Sequence, residues 1–488
     1  FRHAEHCRLK ENFVRRTTDT NRIAKQICHA CLVLMAAVTL VTLPAGSCFA
    51  QAADAGLPNL PKGFRPPPPI PKEFTIEKPL ITDDDVTAWK RKRAAFQEAL
   101  SGKLAGDAPK VIDEGFRVVV QELSIVDRRD DLADLRKAVV RYVDQFVSDK
   151  NEDTKKFACK TIVKYATTLL DGNFHVRLQA VLLIGSLSVS PEVPGLRPKP
   201  AIAYIDGLPV LLDVIRAPED GISQPEPVRI LAAMGAMRLL QEGRQTLKPN
   251  SKLPVDAAKR MLAELTGNGT DWYHQRLIEA VIQTALATVP NDQNQQEPVI
   301  VEALARILSN PRRSNRLRAR AARLLGRTAM PNGLQAAPIA FSIVKLTQKI
   351  ATEVNQKRLP AAEALFLVHD IYLAFKPAYP GETTVDLRKG AGLLSTLNQQ
   401  PTQAAYKDIL PIAKLIFQQL QDAGNKPPQV VFPPSQVEKL NAWPKLGDMT
   451  LAPDRISIDI PLQKPAEATP RAAAPTANRD GKNVNKAG

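Results

Sequence analysis

Four times along the chain the same set of apolar positions returns, at offsets 0, 4, 7, 8 and 11. It reads Val176, Ala180, Leu183, Ile184, Leu187, then Val228, Ala232, Gly235, Ala236, Leu239. A third copy reads Leu277, Val281, Thr284, Ala285, Thr288, and a fourth Leu317, Ala321, Leu324, Leu325, Thr328. These offsets fall on one face of an α-helix, so each copy predicts an amphipathic helix that must bury that face against a neighbour. An arginine stands beside the first member of each copy: Arg177, Arg229, Arg276 (one place earlier) and Arg318. Beside the stripe, an arginine stem can lie over the next helix while its head pairs or stays wet.

Each copy is the second helix of a predicted pair. The pairs are Lys155–Leu170 with Phe174–Val189, Ile202–Arg216 with Glu226–Glu242, Pro254–Leu265 with Trp272–Thr288, and Glu297–Ser309 with Asn315–Ala329. A looser fifth pair spans Pro338–Val354 and Pro360–Phe375, with Arg358 and Ala361 repeating the Arg-x-x-Ala spacing, and a last helix covers Thr402–Asp422. Proline and glycine punctuate the joints. Upstream, Thr82 and Asp85 have capping-box spacing and open the first helix; the three aspartates there suit a helix N-terminus better than a metal site. Two further helices follow at Ala108–Val126 and Leu132–Val147.

A repeat of about 40 to 50 residues built from helix pairs is the mark of a helical solenoid. Val176-Arg177-x-x-Ala180 with Gly185, and Leu317-Arg318-x-x-Ala321 with Gly326, resemble the second helix of HEAT repeats over roughly residues 130 to 380. The resemblance implies an all-α fold, a right-handed α-solenoid of antiparallel pairs whose concave face binds a partner. It also implies an arginine ladder in which Arg177, Arg229, Arg276 and Arg318 join acids between neighbouring repeats, with Asp171 and Asp271 as candidates. Asn310 and Asn315 stand where the fourth repeat needs an acid, so a break in the ladder is expected there.

The flanks differ in composition. Arg15, Arg16, Arg22 and Lys25 precede an apolar run from Ile27 to Leu43, and Ala50-Gln51-Ala52 supplies small residues for cleavage, so 1–52 reads as an export signal. Retention of residues 27–43 as a membrane anchor is the alternative, since the run is near the lower limit of a span. Residues 53–81, with Pro66 to Pro69, read as a disordered proline-rich spacer, 82–424 as the solenoid, and 425–488 as a largely disordered Pro/Ala-rich tail. Cys7, Cys28, Cys31 and Cys48 fall in the leader, and Cys159 is left alone, so no internal disulfide is expected after cleavage.

Charge completes the reading. The chain carries +16; its first 52 residues hold seven Lys/Arg and three acids, which leaves a surplus of twelve on the remainder. An exported basic protein is expected to meet another protein or an anionic envelope component, while nucleic acid is disfavoured by the export signal. The surplus is densest between Arg306 and Arg327, where eight arginines stand without an acid. Arg316, Arg320, Arg323 and Arg327 share a helical face, and with Arg312 and Arg313 they form the candidate site for an anionic partner. The same arginines could instead pair with acids on adjacent repeats. No catalytic, cofactor or metal constellation stands out; His175, His274 and His369 are far apart and read as packing residues. The expected function is a non-enzymatic binding or scaffolding module of the bacterial cell envelope, exported to the periplasm or beyond. An enzyme, or an accessory domain of one, without recognisable motifs is the alternative.

Overall fold

Side-chain caps set where the helices begin. Thr82 and Asp85 form the expected capping box, with Asp85 N donating to Thr82 Oγ1 at 3.3 Å and Thr82 N to Asp85 Oδ2 at 2.9 Å. Asn173, Thr270 and Ser314 each accept from the backbone N–H three residues on, as N-caps do. The computed structural model describes residues 70–443 apart from 103–104, 149–150, 193–198, 217–222, 268, 332, 377–391 and 424–429. The signal segment, the Cys28 and Cys31 pair, residues 27–43, most of the spacer and the end of the tail lie outside the described residues.

The described chain is mostly helical. In order the helices are α1 (Asp83–Ser101), α2 (Ala108–Gln121), α3 (Leu132–Phe146), α4 (Glu152–Thr168), α5 (Phe174–Ser186), α6 (Leu208–Ile215) and α7 (Glu226–Gly243). Then come α8 (Leu253–Glu264), α9 (Asp271–Val281), α10 (Val299–Ser309), α11 (Asn315–Leu325), α12 (Ala337–Asn355) and α13 (Ala361–Phe375). The last are the single turn α14 (Leu393–Thr396), α15 (Gln400–Ala423) and α16 (Pro434–Asn441). Two short antiparallel pairs, β1 (Ser188–Ser190) with β2 (Ile202–Ala203) and β3 (Val289–Pro290) with β4 (Gln296–Glu297), bridge long loops. The first of them takes the start of the helix expected from Ile202.

Helices two apart in the chain pack on one another. The second members of the pairs, α5, α7, α9, α11 and α13, touch in succession, and so do the first members α6, α8, α10 and α12. Each first helix also packs against its own partner, while α1, α3 and α5 continue one series toward the N-terminus and α2 packs on α4. The stripes fill the resulting core: Ala180, Leu183 and Ile184, Ala232 and Ala236, and Ala321 and Leu325 are fully buried. Small residues let backbones approach. A Cβ added to Gly185 of α5 would stand 2.9 Å from Gly235 Cα of α7.

The third copy of the stripe starts four residues earlier than its sequence suggests. Counted from the cap, Thr270 places Tyr273 where Asn173 places Val176 and Ser314 places Leu317. The buried set is then Tyr273, Leu277, Ala280, Val281 and Thr284, and the helix has ended before Ala285, which takes a left-handed φ of 54°. A slip of four residues stays on one helical face, so periodicity could not separate the two registers.

Both flanks reach further into the fold than composition suggests. Residues 70–81, expected as spacer, lie against the helices: Phe74 and Ile81 are buried, and Leu80 N donates to Ser124 Oγ at 2.8 Å. At the other end, the expected tail contributes Val430, Phe432 and Leu440 to the core. Asn355 of α12 holds Phe432 by both backbone groups, donating to its carbonyl and accepting from its N–H at 2.8 Å each. Helix α16 then packs on α12 and α15. No helix among the described residues is long and apolar enough to cross a membrane.

Candidate functional site

Three of the four repeat arginines do the same thing. Arg177 Nε donates to Gly172 O at 2.6 Å, Arg229 Nε to Ile215 O at 3.1 Å and Arg318 Nε to Leu308 O at 2.8 Å. Ile215 and Leu308 lie at the C-terminal end of the preceding first helix, where carbonyls are left over, and Gly172 lies in the turn that follows α4. Their heads are then engaged: Arg177 on Gln224 Oε1 at 2.8 Å, Arg229 on Glu264. The Arg177 guanidinium also lies over the Phe74 ring at 4.8 Å, and that of Arg229 over the Tyr273 ring at 4.4 Å. Burial holds the Arg177 and Arg318 guanidiniums below their ordinary range.

Arg276 does not belong to that set. Its Nη1 pairs with Glu279 Oε2 at 2.7 Å on its own helix, and the carbonyl-closing position, four residues after the cap, holds His274. His274 is 1% exposed, and neither ring nitrogen has a hydrogen-bond partner among the described residues. Burial, with the charge of Arg313 acting the same way, pushes its imidazole down to about 4. Tyr273 beside it bonds the second pair, its Oη donating to Ile215 O, the carbonyl that Arg229 also meets, at 3.2 Å.

The expected acids are also reassigned. Asp271 accepts from Ser314 N at 2.6 Å and from Arg313 Nη1 at 3.2 Å, so it reaches forward to the next pair instead of to Arg276. Burial alone would raise its carboxyl, but the bonds from Ser314 and Arg313 outweigh burial and hold it low. In the fourth pair Arg318 meets the Leu308 carbonyl, Asn315 Nδ2 donates to Glu353 Oε2 of α12 at 2.8 Å, and Asn310 caps its own turn by accepting from Arg312 N at 2.9 Å.

The six arginines of the candidate site divide into two groups. Arg320 Nε lies 3.2 Å from Glu279 Oε1 of α9, and its Nη1 lies 3.5 Å from Asp370 Oδ1 of α13. Arg323 Nη1 reaches the same Asp370 oxygen at 3.1 Å. With Arg276 this makes a chain of three guanidiniums and two carboxylates running Arg276, Glu279, Arg320, Asp370, Arg323 across α9, α11 and α13. Arg313 is held by Asp271, and Arg327 is half-buried. Arg312 and Arg316 are exposed.

Sequence comparison with known protein families and with curated proteins finds no match. The site is therefore described by its own chemistry. Counted from the caps, Trp272 and Arg316 hold equivalent places on α9 and α11, two residues in, and both are exposed, Trp272 by 56%. Six residues in, the row reads Arg276, Arg320 and, on α13, Phe366, which is 58% exposed. Aromatic side chains and guanidiniums thus stand side by side on one set of second helices. Sequence reading missed Glu279 and Asp370, the two acids that order this face. Asp370 carried a signal, an acid inside the apolar stretch Leu365–Phe375, but its partners lie 47 and 50 residues earlier.

His274 is buried as above and His369 meets Phe417 edge-on at 6.0 Å, whereas His175, expected as a packing residue, is exposed, with the neighbouring Phe174 ring edge-on at 5.5 Å.

Proposed function

We propose that this chain is an α-solenoid of HEAT-like helix pairs that serves as a non-enzymatic binding or scaffolding module, exported to the cell envelope. The second-helix face of α9, α11 and α13 takes an acidic protein surface. One observation carries the reading: helices two apart in the chain pack in two parallel series, as stacked pairs do. On the chosen face the arginines outnumber the acids that order them, and Trp272 and Phe366 are exposed beside them. Guanidinium and aromatic side chains are the types that dominate protein-binding hot spots. Within the site the roles separate. Arg320 and Arg323 are held by Glu279 and Asp370 and give the face its shape, whereas exposed Arg312 and Arg316 meet the partner.

The test uses Arg312→Gln with Arg316→Gln and retention on a polyglutamate matrix across a salt series. The double variant should elute at a clearly lower salt concentration than the native chain with unchanged thermal stability. Equal elution would remove the anionic site. Export is tested separately by N-terminal sequencing of the protein recovered from cells: a chain starting after Ala52 supports cleavage, and an intact leader in the membrane fraction supports the anchored alternative.

A further inference from the structure

The segment 70–81 crosses the helix ends as a strap with a single 3-10 turn, Lys72–Phe74, and two side-chain anchors. Phe74 is 4% exposed and lies beneath the Arg177 guanidinium. Glu77 pairs with Arg129 and accepts from the Asn173 side-chain amide, at the N-terminus of α5. Its outward side chains are apolar and wet: Ile70 is 39% exposed, Ile76 54% and Leu80 41%. A cavity of about 270 Å³ remains between Phe74, Thr75 and Glu77 of the strap and Arg129, Asn173 and His175 beneath it.

The repeat pattern shows what the strap replaces. Arg229 of α7 is covered by Tyr273, which belongs to the next second helix, α9. The corresponding residue for Arg177 of α5 is the first stripe position of α7, Val228, which is fully buried and has no ring. The pair therefore leaves an aromatic position open over Arg177, and Phe74, from outside the pairs, fills it. Beside that position stand Arg129 and the Asn173 amide, donors in want of a carboxylate, which Glu77 supplies. A ring and a carboxylate three residues apart, the ring at the end of the 3-10 turn, satisfy the whole groove.

We propose that this groove is a peptide-binding site which the chain occupies with its own strap, and that it accepts in trans a segment carrying an aromatic residue three positions before an acid. The strap is then a tethered competitor. Release uncovers Phe74 and frees Glu77 from Arg129 and Asn173, while Ile70, Ile76 and Leu80 are exposed already. Tethering gives it an effective concentration on the order of millimolar, so only a segment that engages the same groove more tightly, or one present in excess, displaces it.

The experiment uses the full chain and a fluorescent synthetic peptide of residues 70–81. In the variant Phe74→Ala with Glu77→Gln the strap is weakened and the groove is open. The peptide should bind this variant at least about tenfold more tightly than the native chain, as read by anisotropy. Adding Arg129→Gln should remove most of that binding, and a peptide bearing the same two changes as the variant should not bind. Failure of the native-sequence peptide to bind the opened variant, or equal binding to native and opened chains, overturns the proposal. The native chain gives an independent reading should the variant misfold: millimolar peptide should speed hydrogen exchange of residues 70–81, and unchanged exchange counts against the site.

Discussion

At the scale of single residues, the position four places after each second-helix cap shows how one geometry accepts different chemistry. Arginine there reaches back to a carbonyl at the end of the preceding helix or in the turn after it in the first, second and fourth pairs. Histidine in the third is too short to do the same and is buried without a partner among the described residues. A buried imidazole favours its neutral form, so its proton affinity is lower in the folded chain, about 4, than the ordinary 6.5. Between these values the unfolded chain takes up a proton that the folded chain refuses. Stability is therefore full above pH 6.5 and falls as pH is lowered toward 4. His274→Leu removes this titration, and because no hydrogen bond is lost the cost at pH 7 should stay within about 1 kcal/mol. Urea midpoints at pH 7 and pH 4.5 check it: the drop should be smaller in the variant, and an equal drop would place the acid sensitivity elsewhere. Nothing in the sequence marked His274 for this role, because the register that reveals it depends on Thr270 acting as the cap.

Among the elements, helix contacts are set as much by what is missing from a side chain as by what it buries. Gly326 ends α11 where α13 passes, and a Cβ there would stand 2.2 Å from Ala374 O. A backbone oxygen in a packed helix cannot swing aside. Gly326→Ala should therefore cost about 1 to 3 kcal/mol in urea unfolding. Gly267 is the contrast: a Cβ there meets nothing nearer than Glu264 O at 3.4 Å, and Gly267→Ala should change stability by less than about 0.5 kcal/mol. If both substitutions cost the same, α11 and α13 do not approach as closely as their glycine and alanine imply. The existence of these helices was legible from spacing alone, and most ends fell within a few residues of the expected ones. The helix expected from Ile202 failed for a non-local reason: Ile202 and Ala203 pair with Ser188–Ser190 across a long loop, which leaves α6 to start at Leu208.

For the molecule as a whole, the two ends of the helical series need covering, since a pair at an end has no further neighbour. Residues 70–81 lie over the start of α5, while residues 430–443 serve the C-terminal end, with Trp443 Nε1 donating to Asp408 Oδ2 at 2.8 Å and Lys439 pairing with Asp408 at 2.7 Å. Phe432 is fully buried between them and α12. Phe432→Ala should cost about 3 kcal/mol. Where pairs contact only their neighbours, the loss stays local. Amide exchange should quicken in α12, α15 and α16 and remain unchanged in α1 to α4. Uniform acceleration would instead mean that the chain unfolds as one unit. These flanking segments were not legible as ordered, because prolines interrupt them and their apolar residues have no period of their own.

The sequence by itself determined that the chain is helical, where most helices lie and which face of each is apolar, because these follow from the turn of the helix and from caps within four residues. It also marked the arginines as unusual. Only the tertiary structure decided what each arginine does, which register the third stripe takes, and that the flanking segments belong to the fold. Those outcomes depend on contacts such as Arg323 with Asp370, 47 residues on, or Glu77 with Asn173, 96 residues on. Local periodicity fixes a direction around one helix axis; it holds no information about which distant group arrives there.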